Sequence, residues 1–544
     1  MCQSPGRSVS HGAAAKLVWN DASESMRGVI ACCSLLLSAS VARADVLSLV
    51  LDGGSAPPAS TPSGATPSEP NDLISWAGEP KAITLPELLN IAIQQAPALK
   101  SAKLDIAVAE AQIAETWARH DWTVTVVATG QHTGAAIFSG IPISGTTNYG
   151  VTADIARVLP TGGTLDFHAS SQYSDTGIAI PGVPTSSYWN DVASVSLNQP
   201  LLKNRGSDYY NALERKADLS RDAAVLARRL AALQTVQTVI SDYWDLVLAE
   251  QQVAITEASL AVANERLRVT QLQVSSGRSA QSEIPAVEQT IATTEEQVLT
   301  GELAVLDASL ALRRAVGMAM GAGDLGLRVS TDLEARDNPL DLAALIQRTY
   351  DASPELAQLS KQDASATIDV FVNDNGLLPQ LDLALSVGQN VTDNTFGATA
   401  KDLVTVDAYQ ISGQLTFSRS LRQYDVRYRS TELRNAREKI RVNAVDVRAQ
   451  LAQAMSHSVA AIQLAKRRVV LDDRAVALAK ENVRIETDRF NVGRSTNFDV
   501  MLRLDEQRQA ELRKVQAQID WHKAETMMLM LTGDLLPMFG ITVP

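Results

Sequence analysis

Cysteine is nearly missing from this chain of 544 residues, and its three copies, Cys2, Cys32 and Cys33, all stand at the amino end. Residues 34–544 therefore hold no thiol for a disulfide, a thiolate metal site or nucleophilic chemistry. Aromatic residues make up 5% of the chain, which argues against an ordinary multidomain enzyme and for long helices. Basic residues are outnumbered, 48 Lys+Arg against 61 Asp+Glu, and a net charge of −13 leaves no electrostatic footprint for nucleic acid. The six histidines, His11, His120, His132, His168, His457 and His522, are scattered and pair with no carboxylate at metal-ligand spacing. No phosphate-binding glycine loop and no Gly-x-Ser-x-Gly elbow occurs. The sequence thus gives no cofactor site, no metal site and no basis for an enzyme. From Ala82 onward no uninterrupted apolar stretch reaches 18 residues, so no membrane-spanning helix is expected there.

What the amino end does contain is the pattern of a segment removed on export. Arg27 precedes an apolar run from Gly28 to Ala42, and Ala42-Arg43-Ala44 supplies a small-residue cleavage site. Residues 1–44 are assigned as a signal peptide beginning at Met1 or Met26; the run of about 15 residues is shorter than the ~20 that a spanning helix needs. Val29-Ile30-Ala31-Cys32 resembles a lipoprotein box only faintly, because most of the apolar stretch follows Cys32 instead of preceding it. Residues 45–81, rich in Pro, Gly, Ser and Thr, cannot bury enough apolar surface to order themselves and read as a linker or tether.

The strongest signal beyond that point is self-similarity. Ile83, Leu85, Leu88, Leu89, Pro97 and Leu99 recur as Leu340, Leu342, Leu345, Ile346, Pro354 and Leu356, all at an offset of 257 residues. Gly277, in Val274-Ser275-Ser276-Gly277-Arg278-Ser279, falls on Gly493 of Asn491-Val492-Gly493-Arg494-Ser495 at an offset of 216. The first copy is therefore longer by 41 residues, placed between about residue 130 and a helix starting near Ser207. A first repeat over 82–316, a connector over 317–339, a second repeat over 340–532 and a tail over 533–544 follow. Each repeat reads helix, strands, long helix, turn, helix. Residues 207–275 lack Pro and Gly, and Leu226, Leu230, Leu233, Val236, Ile240, Tyr243 and Val247 form a coiled-coil-like stripe. Residues 420–490 are equally free of breakers. The returns, 280–316 with 84–119 and 496–532 with 341–376, each match one long helix when stacked end to end, which gives four helical columns per chain.

Between the helices, apolar and polar or small residues alternate. Leu381, Leu383, Leu385 and Val387 alternate with Asp382, Ala384, Ser386 and Gly388; Tyr149, Val151, Ala153 and Ile155 alternate with Gly150, Thr152, Asp154 and Ala156. Strands are expected at 122–130, 148–158, 164–173, 189–198, 379–391 and 405–418. A soluble sheet with one dry face would show the same period. The flanking helices are too long for a globular domain, however, and Trp122, Tyr149, Tyr173, Trp189 and Tyr409 sit near strand ends where a membrane belt places aromatics. Backbone polar groups cannot face lipid unpaired, so the sheet must close, and six strands are fewer than the eight of the smallest barrels. The barrel must be shared between copies of the chain.

These features together resemble the TolC-type outer-membrane efflux and secretion channels. The likeness covers about residues 82–532 and rests on Thr84-Leu85-Pro86-Glu87-Leu88-Leu89 with its repeat Asp341 to Ile346, Leu197-Asn198-Gln199-Pro200-Leu201-Leu202, Tyr243-Trp244-Asp245-Leu246 and the two glycine turns. It implies a mixed membrane α+β protein: a homotrimer whose shared twelve-stranded transmembrane β-barrel, set in outer-membrane lipid, continues into a long periplasmic α-helical barrel. It implies a passive conduit for small molecules in a tripartite export system, fed by an inner-membrane transporter through a periplasmic adaptor protein. The adaptor would dock on the turns Ser276-Gly277-Arg278-Ser279 and Val492-Gly493-Arg494-Ser495-Thr496. Asp499 falls on a position of the acidic ring that closes such tunnels; three residues on, where a second Asp often stands, this chain has Leu502. Arg494 and Arg503 would hold the closed tip through ion pairs or hydrogen bonds. The rival uses are a type I polypeptide secretion channel and a soluble periplasmic coiled-coil scaffold. The extra 41 residues, with a turn at Val158-Leu159-Pro160-Thr161-Gly162-Gly163-Thr164, either widen the barrel to eighteen strands or form an extracellular cap, and family precedent favours twelve.

Overall fold

The structure, a computed structural model, describes residues 81–138, 141–178, 182, 184, 186–278, 280–321, 326–329, 340–405 and 409–541. The signal peptide with Cys32 and the candidate starts Met1 and Met26, the linker up to residue 80, much of the connector and residues 542–544 lie outside the described residues. Strand β1 (Lys81–Ile83) leads into α1 (Leu85–Gln95), whose start is fixed by a capping box: the Thr84 N–H donates to Glu87 Oε2 at 3.0 Å. Helix α2 (Pro97–Trp117) and a short 3₁₀ turn (Ala118–His120) reach the sheet. There follow β2 (Thr123–Thr133), the three-residue β3 (Ala136–Phe138), β4 (Ile141–Val158), β5 (Thr164–Ile178) and β6 (Ser186–Pro200). A single turn, α3 (Ser207–Tyr210), precedes α4 (Ala212–Ser275), which reverses into α5 (Glu283–Val316).

The second passage repeats this order with fewer strands. Strand β7 (Leu327–Val329) pairs parallel with β1; then come α6 (Leu342–Ala352), α7 (Pro354–Asn375) and β8 (Gln380–Asp393). Helix α8 (Phe396–Thr405), β9 (Tyr409–Ser418), α9 (Tyr424–Asn491), α10 (Asn497–Thr532) and a last turn α11 (Leu535–Met538) complete the chain.

Two expectations need correction. Residues 84–119 and 341–376 are not single rods. Pro97 and Pro354 each open a new helix, because a proline ring disfavours helical backbone in the residue before it; Ala96 has ψ 126° and Ser353 ψ 115°. Ser353 then caps α7 by accepting from the Leu356 N–H at 3.3 Å. The strand expected over 405–418 begins at Tyr409, and Thr405 belongs to α8, a helix that period-two counting did not register.

At 1.5 Å per residue the 64 residues of α4 and the 68 of α9 extend about 95 to 100 Å. Near the sheet, α4 packs on α2 and α7, and α7 on α9; toward the far turns α4 packs on α5 and α10, and α10 on α9. Four helices thus stand side by side at either level. Midway, the largest core gathers Leu233, Val236, Ile240, Tyr243 and Val247 of α4 against Leu88 and Leu89 of α1, Leu312 and Val316 of α5, and Ile519 of α10. From Leu233 to Val247 the heptad stripe read in the sequence is the face that this core buries, while Leu226 and Leu230 are half-buried outside it. Within α4 an 18-residue window reaches a mean hydropathy of 1.2, enough by length and composition to cross a membrane. Of that window 28% is buried within the chain. Nearer the sheet, ion pairs replace grease: Lys216 and Asp222 of α4 meet Asp369 and Lys361 of α7 at 2.5 and 2.9 Å. Asp363 of α7 meets Arg437 and Arg441 of α9 at 2.9 and 3.2 Å.

Candidate functional site

The sheet is one antiparallel meander in the order β2-β4-β5-β6-β8-β9, with β3 beside β4. Its register lines up side chains across all six strands. Val124, Ile155, Phe167, Val195, Val387 and Ile411 are successive cross-strand partners and form one apolar row. The adjacent residues on each strand point to the other face, where Thr125, Asp154, His168, Ser194, Gly388 and Gln410 form a polar row. Tyr149, Tyr173 and Trp189 are neighbours in a further row on the apolar face, with the Tyr173 and Trp189 rings 5.2 Å apart. At the helix end, Trp122 lies 6.0 Å from Phe167 and beneath the Arg157 guanidinium at 5.5 Å. From Tyr149 to Arg157 the strand rises about 26 Å at 3.3 Å per residue, close to the height of a membrane-facing apolar band between aromatic belts.

One row of the apolar face departs from this pattern: Ser171 and Asp191, cross-strand partners on β5 and β6, are polar, and Asp191 is buried. On the wet face His168 and Asp154 make a hydrogen bond of 2.6 Å across β4 and β5, a carboxylate partner that histidine spacing in the sequence did not reveal. His120 similarly approaches Glu214 at 3.4 Å below the sheet. Among the described residues no three His, Cys, Asp or Glu side chains gather as a metal site would require. Where polar Gln389 stands on the apolar face, its amide donates to the Leu403 carbonyl of α8, and Phe396 of α8 lies 5.1 Å from Trp189.

Both rims of this sheet are bare. On β2 and β9, Val124 is 64% and Ile411 68% exposed, whereas Phe167 and Val195, in the same row but inside the sheet, are 40% and 41% exposed. The difference is what a missing neighbour strand produces.

At the opposite end of the helices the two turns share one geometry. Gly277 and Gly493 have φ +71° and +73°, the left-handed region where a Cβ is costly. The Gly277 N–H donates to the Val274 carbonyl at 3.0 Å and the Arg278 N–H to Gln273 at 2.8 Å; Gly493 and Arg494 donate to Phe490 and Arg489 at 2.9 and 2.8 Å. Each pair is a Schellman motif, which satisfies the last carbonyls of a long helix. Ser276 closes its own turn through the Gln273 carbonyl, and Ser279 lies outside the described residues. Val492 is exposed, as are Leu272, Phe498 and Leu502 around it. Thr496 caps α10 and Asp499 completes the box: Asp499 Oδ2 accepts from the Thr496 N–H at 3.1 Å, the Thr496 hydroxyl at 2.6 Å and the Ser495 hydroxyl at 3.3 Å. These bonds, the Thr496 hydroxyl first, hold the Asp499 carboxyl below the usual range. Arg503 pairs with Glu506 at 2.8 Å, and that partner raises its pKa. The structure therefore brings Thr496, Ser495 and Asp499 together and turns Arg503 to its own helix.

Sequence reading missed the residue that joins the two turns. Asn497 is buried, accepts from Arg266 Nε at 2.6 Å, and donates to the Thr270 hydroxyl at 2.6 Å and to Glu283 Oε2 at 3.3 Å. The Arg266 guanidinium also lies 3.8 Å over the Phe490 ring, and burial lowers its pKa. Helices α4, α5, α9 and α10 meet in this cluster. Beside it an open groove of about 390 Å³ is lined by Val262, Val269, Val483, Val500 and Leu504. No local pattern could have linked Arg266 to Asn497, which are 231 residues apart.

No protein-family model matches the chain, and no curated protein matches its sequence. Solved structures do match its shape. The outer-membrane channel OprN superposes with a TM-score of 0.62 at 15% identity, covering 83% of this chain and 90% of that one. The outer-membrane channel CmeC of Campylobacter jejuni gives 0.61 at 14% identity, with 88% and 94% covered. The open state of the MtrE outer-membrane channel of Neisseria gonorrhoeae gives 0.59 at 14% identity, with 83% and 89% covered. Each match spans more than four fifths of both chains, and on that ground the chain has the TolC-type outer-membrane channel fold.

Proposed function

We propose that this chain is a subunit of an outer-membrane channel, three copies of which form a passive conduit that exports small molecules. The observation that carries the reading is the pair of continuous rows across the sheet, apolar on one face and polar on the other, ending in two unpaired rims. Lipid accepts the first face, water the second, and only neighbouring copies can satisfy the rims. In this reading the helical columns line a periplasmic tunnel. The Schellman turns at Gly277 and Gly493, with exposed Val492 and Phe498 and the adjacent apolar groove, dock a periplasmic adaptor that links the tunnel to an inner-membrane transporter. Three Asp499 carboxylates around the axis form an acidic constriction that favours cations; their low pKa keeps them charged through neutral pH.

The test is biochemical. The full chain should be extracted from outer membranes by detergent as a heat-sensitive oligomer and should conduct ions in a planar bilayer. A monomer soluble without amphiphile would reject the channel in favour of a periplasmic scaffold. In the same recordings Asp499→Ala should lower the cation preference, and unchanged selectivity would remove Asp499 from the gate.

A further inference from the structure

The strands added to the first passage are not set apart from the sheet. Strand β4 pairs with β2 from Thr123 to Thr133, and β5 pairs with β6 from Thr164 to Thr176, so the β4–β5 hairpin is held on both sides along the whole membrane band. It carries both rows without interruption: Ile155 and Phe167 continue the apolar row, Asp154 and His168 the polar one. Its turn is tight, with the Leu159 N–H donating to the Gly163 carbonyl at 2.7 Å, and it faces the helices, since Gly206 below β6 donates to the Thr161 carbonyl at 3.0 Å. A hairpin serving as an extracellular cap would have to leave this register.

Resting on the channel reading above, we propose that three copies close an eighteen-stranded barrel, with β9 of each chain pairing to β2 of the next and the β4–β5 hairpin built into the wall. Direction permits the junction: β2 runs away from the helices and β9 runs back to them, so the contact is antiparallel. Circumference favours it as well. Three chains with four helices abreast, spaced about 9 Å apart, make a ring of roughly 110 Å. Eighteen strands about 4.8 Å apart and tilted about 40° make a wall of roughly 113 Å, whereas twelve make roughly 75 Å. The eighteen-stranded wall therefore seats on the helical ring without the steep tilt that twelve strands would need. It also places three Asp154–His168 pairs around the lumen, on strands that a twelve-stranded barrel would not include.

Residues 34–544 lack cysteine, which gives a clean background for cross-linking. In the detergent-extracted oligomer, Thr125→Cys should form a disulfide between copies with at least one of Gln410→Cys, Ser412→Cys, Gln414→Cys or Thr416→Cys, yielding a covalent trimer on heating. Thr125→Cys with Ser194→Cys should stay reduced, because two strands separate them. A bond between these two within one chain of a conducting oligomer would overturn the proposal, since β2 would then abut β6 with the hairpin outside. Electron micrographs supply a second readout: at equal tilt, the barrel should be about 1.5-fold wider than in a chain lacking residues 141–178. Equal widths would also overturn it. A preparation that is monomeric without amphiphile would instead defeat the channel reading on which the proposal stands.

Discussion

Replacing Asn497 by alanine removes a side chain that touches Arg266, Thr270 and Glu283 at once. The bond to the guanidinium, at 2.6 Å and buried, belongs to the charge-assisted class worth about 1.5 to 3 kcal/mol, and each remaining bond to a neutral or weaker partner contributes about 1 kcal/mol. Arg266 keeps Phe490 as a neighbour but loses the oxygen that satisfied Nε, so the expected local destabilisation is about 3.5 to 5 kcal/mol. The helices are far longer than this cluster, and the loss should appear as fraying of the tip and not as global unfolding. Hydrogen exchange read by mass spectrometry should therefore show amides of 266–276 and 490–500 exchanging about two and a half to three and a half orders of magnitude faster, with those of 232–247 in the central core unchanged. Asn497→Asp, which keeps an oxygen for Arg266 and loses the two donated bonds, should fall between. Tip exchange within about tenfold of the native protein, the equivalent of 1.4 kcal/mol, would refute the account of Asn497 as the tie between hairpins.

The other expectations concern the turns, the columns and the wall. Gly277→Ala and Gly493→Ala, each forced to positive φ, should cost about 1 kcal/mol apiece, seen as faster exchange confined to the mutated turn; equal exchange in both proteins would contradict the left-handed assignment. Asp363 has its carboxyl held below the ordinary aspartate value, first by the Arg437 hydrogen bond. Its stabilisation, about 1 kcal/mol or less for a pair this accessible, is therefore complete above the unfolded value near 3.9 and lost as pH falls through the lower folded value. Asp363→Asn should lower the melting temperature at pH 7 and leave it unchanged at the acid end of that window. On the wall, Val195→Arg should cost about 2 to 4 kcal/mol and block membrane assembly, while Ser196→Arg, one residue away on the wet face, should assemble; the opposite result would invert the two faces.

Much of this molecule is legible in its residues because two periods carry it. Leu226 to Val247 repeat at helical spacing, and Leu381 to Val387 alternate, so the long helices and the sheet follow from counting alone. The helix breaks at Pro97 and Pro354 were also written in the sequence, but matching the lengths of stacked rods concealed them. Helix α8 escaped because Phe396–Thr405 is ten residues between strands, too short to establish a period. Asp499 illustrates a different limit: its place three residues after Thr496 announces a capping box, while its value as a gate depends on other copies of the chain. Arg266, Asn497 and the Asp154–His168 pair depend on how elements meet, and no spacing within one element encodes them.

The Schellman turns have one more consequence. Each long helix stops, turns on a single glycine and hands over to its return within a few residues, with its final carbonyls already satisfied. A protease must draw a long extended segment into its cleft, and so short a reversal has little slack to give. At the end of the helices farthest from the sheet, where a loop would be easiest to nick, the chain in this way offers a protease little to draw on.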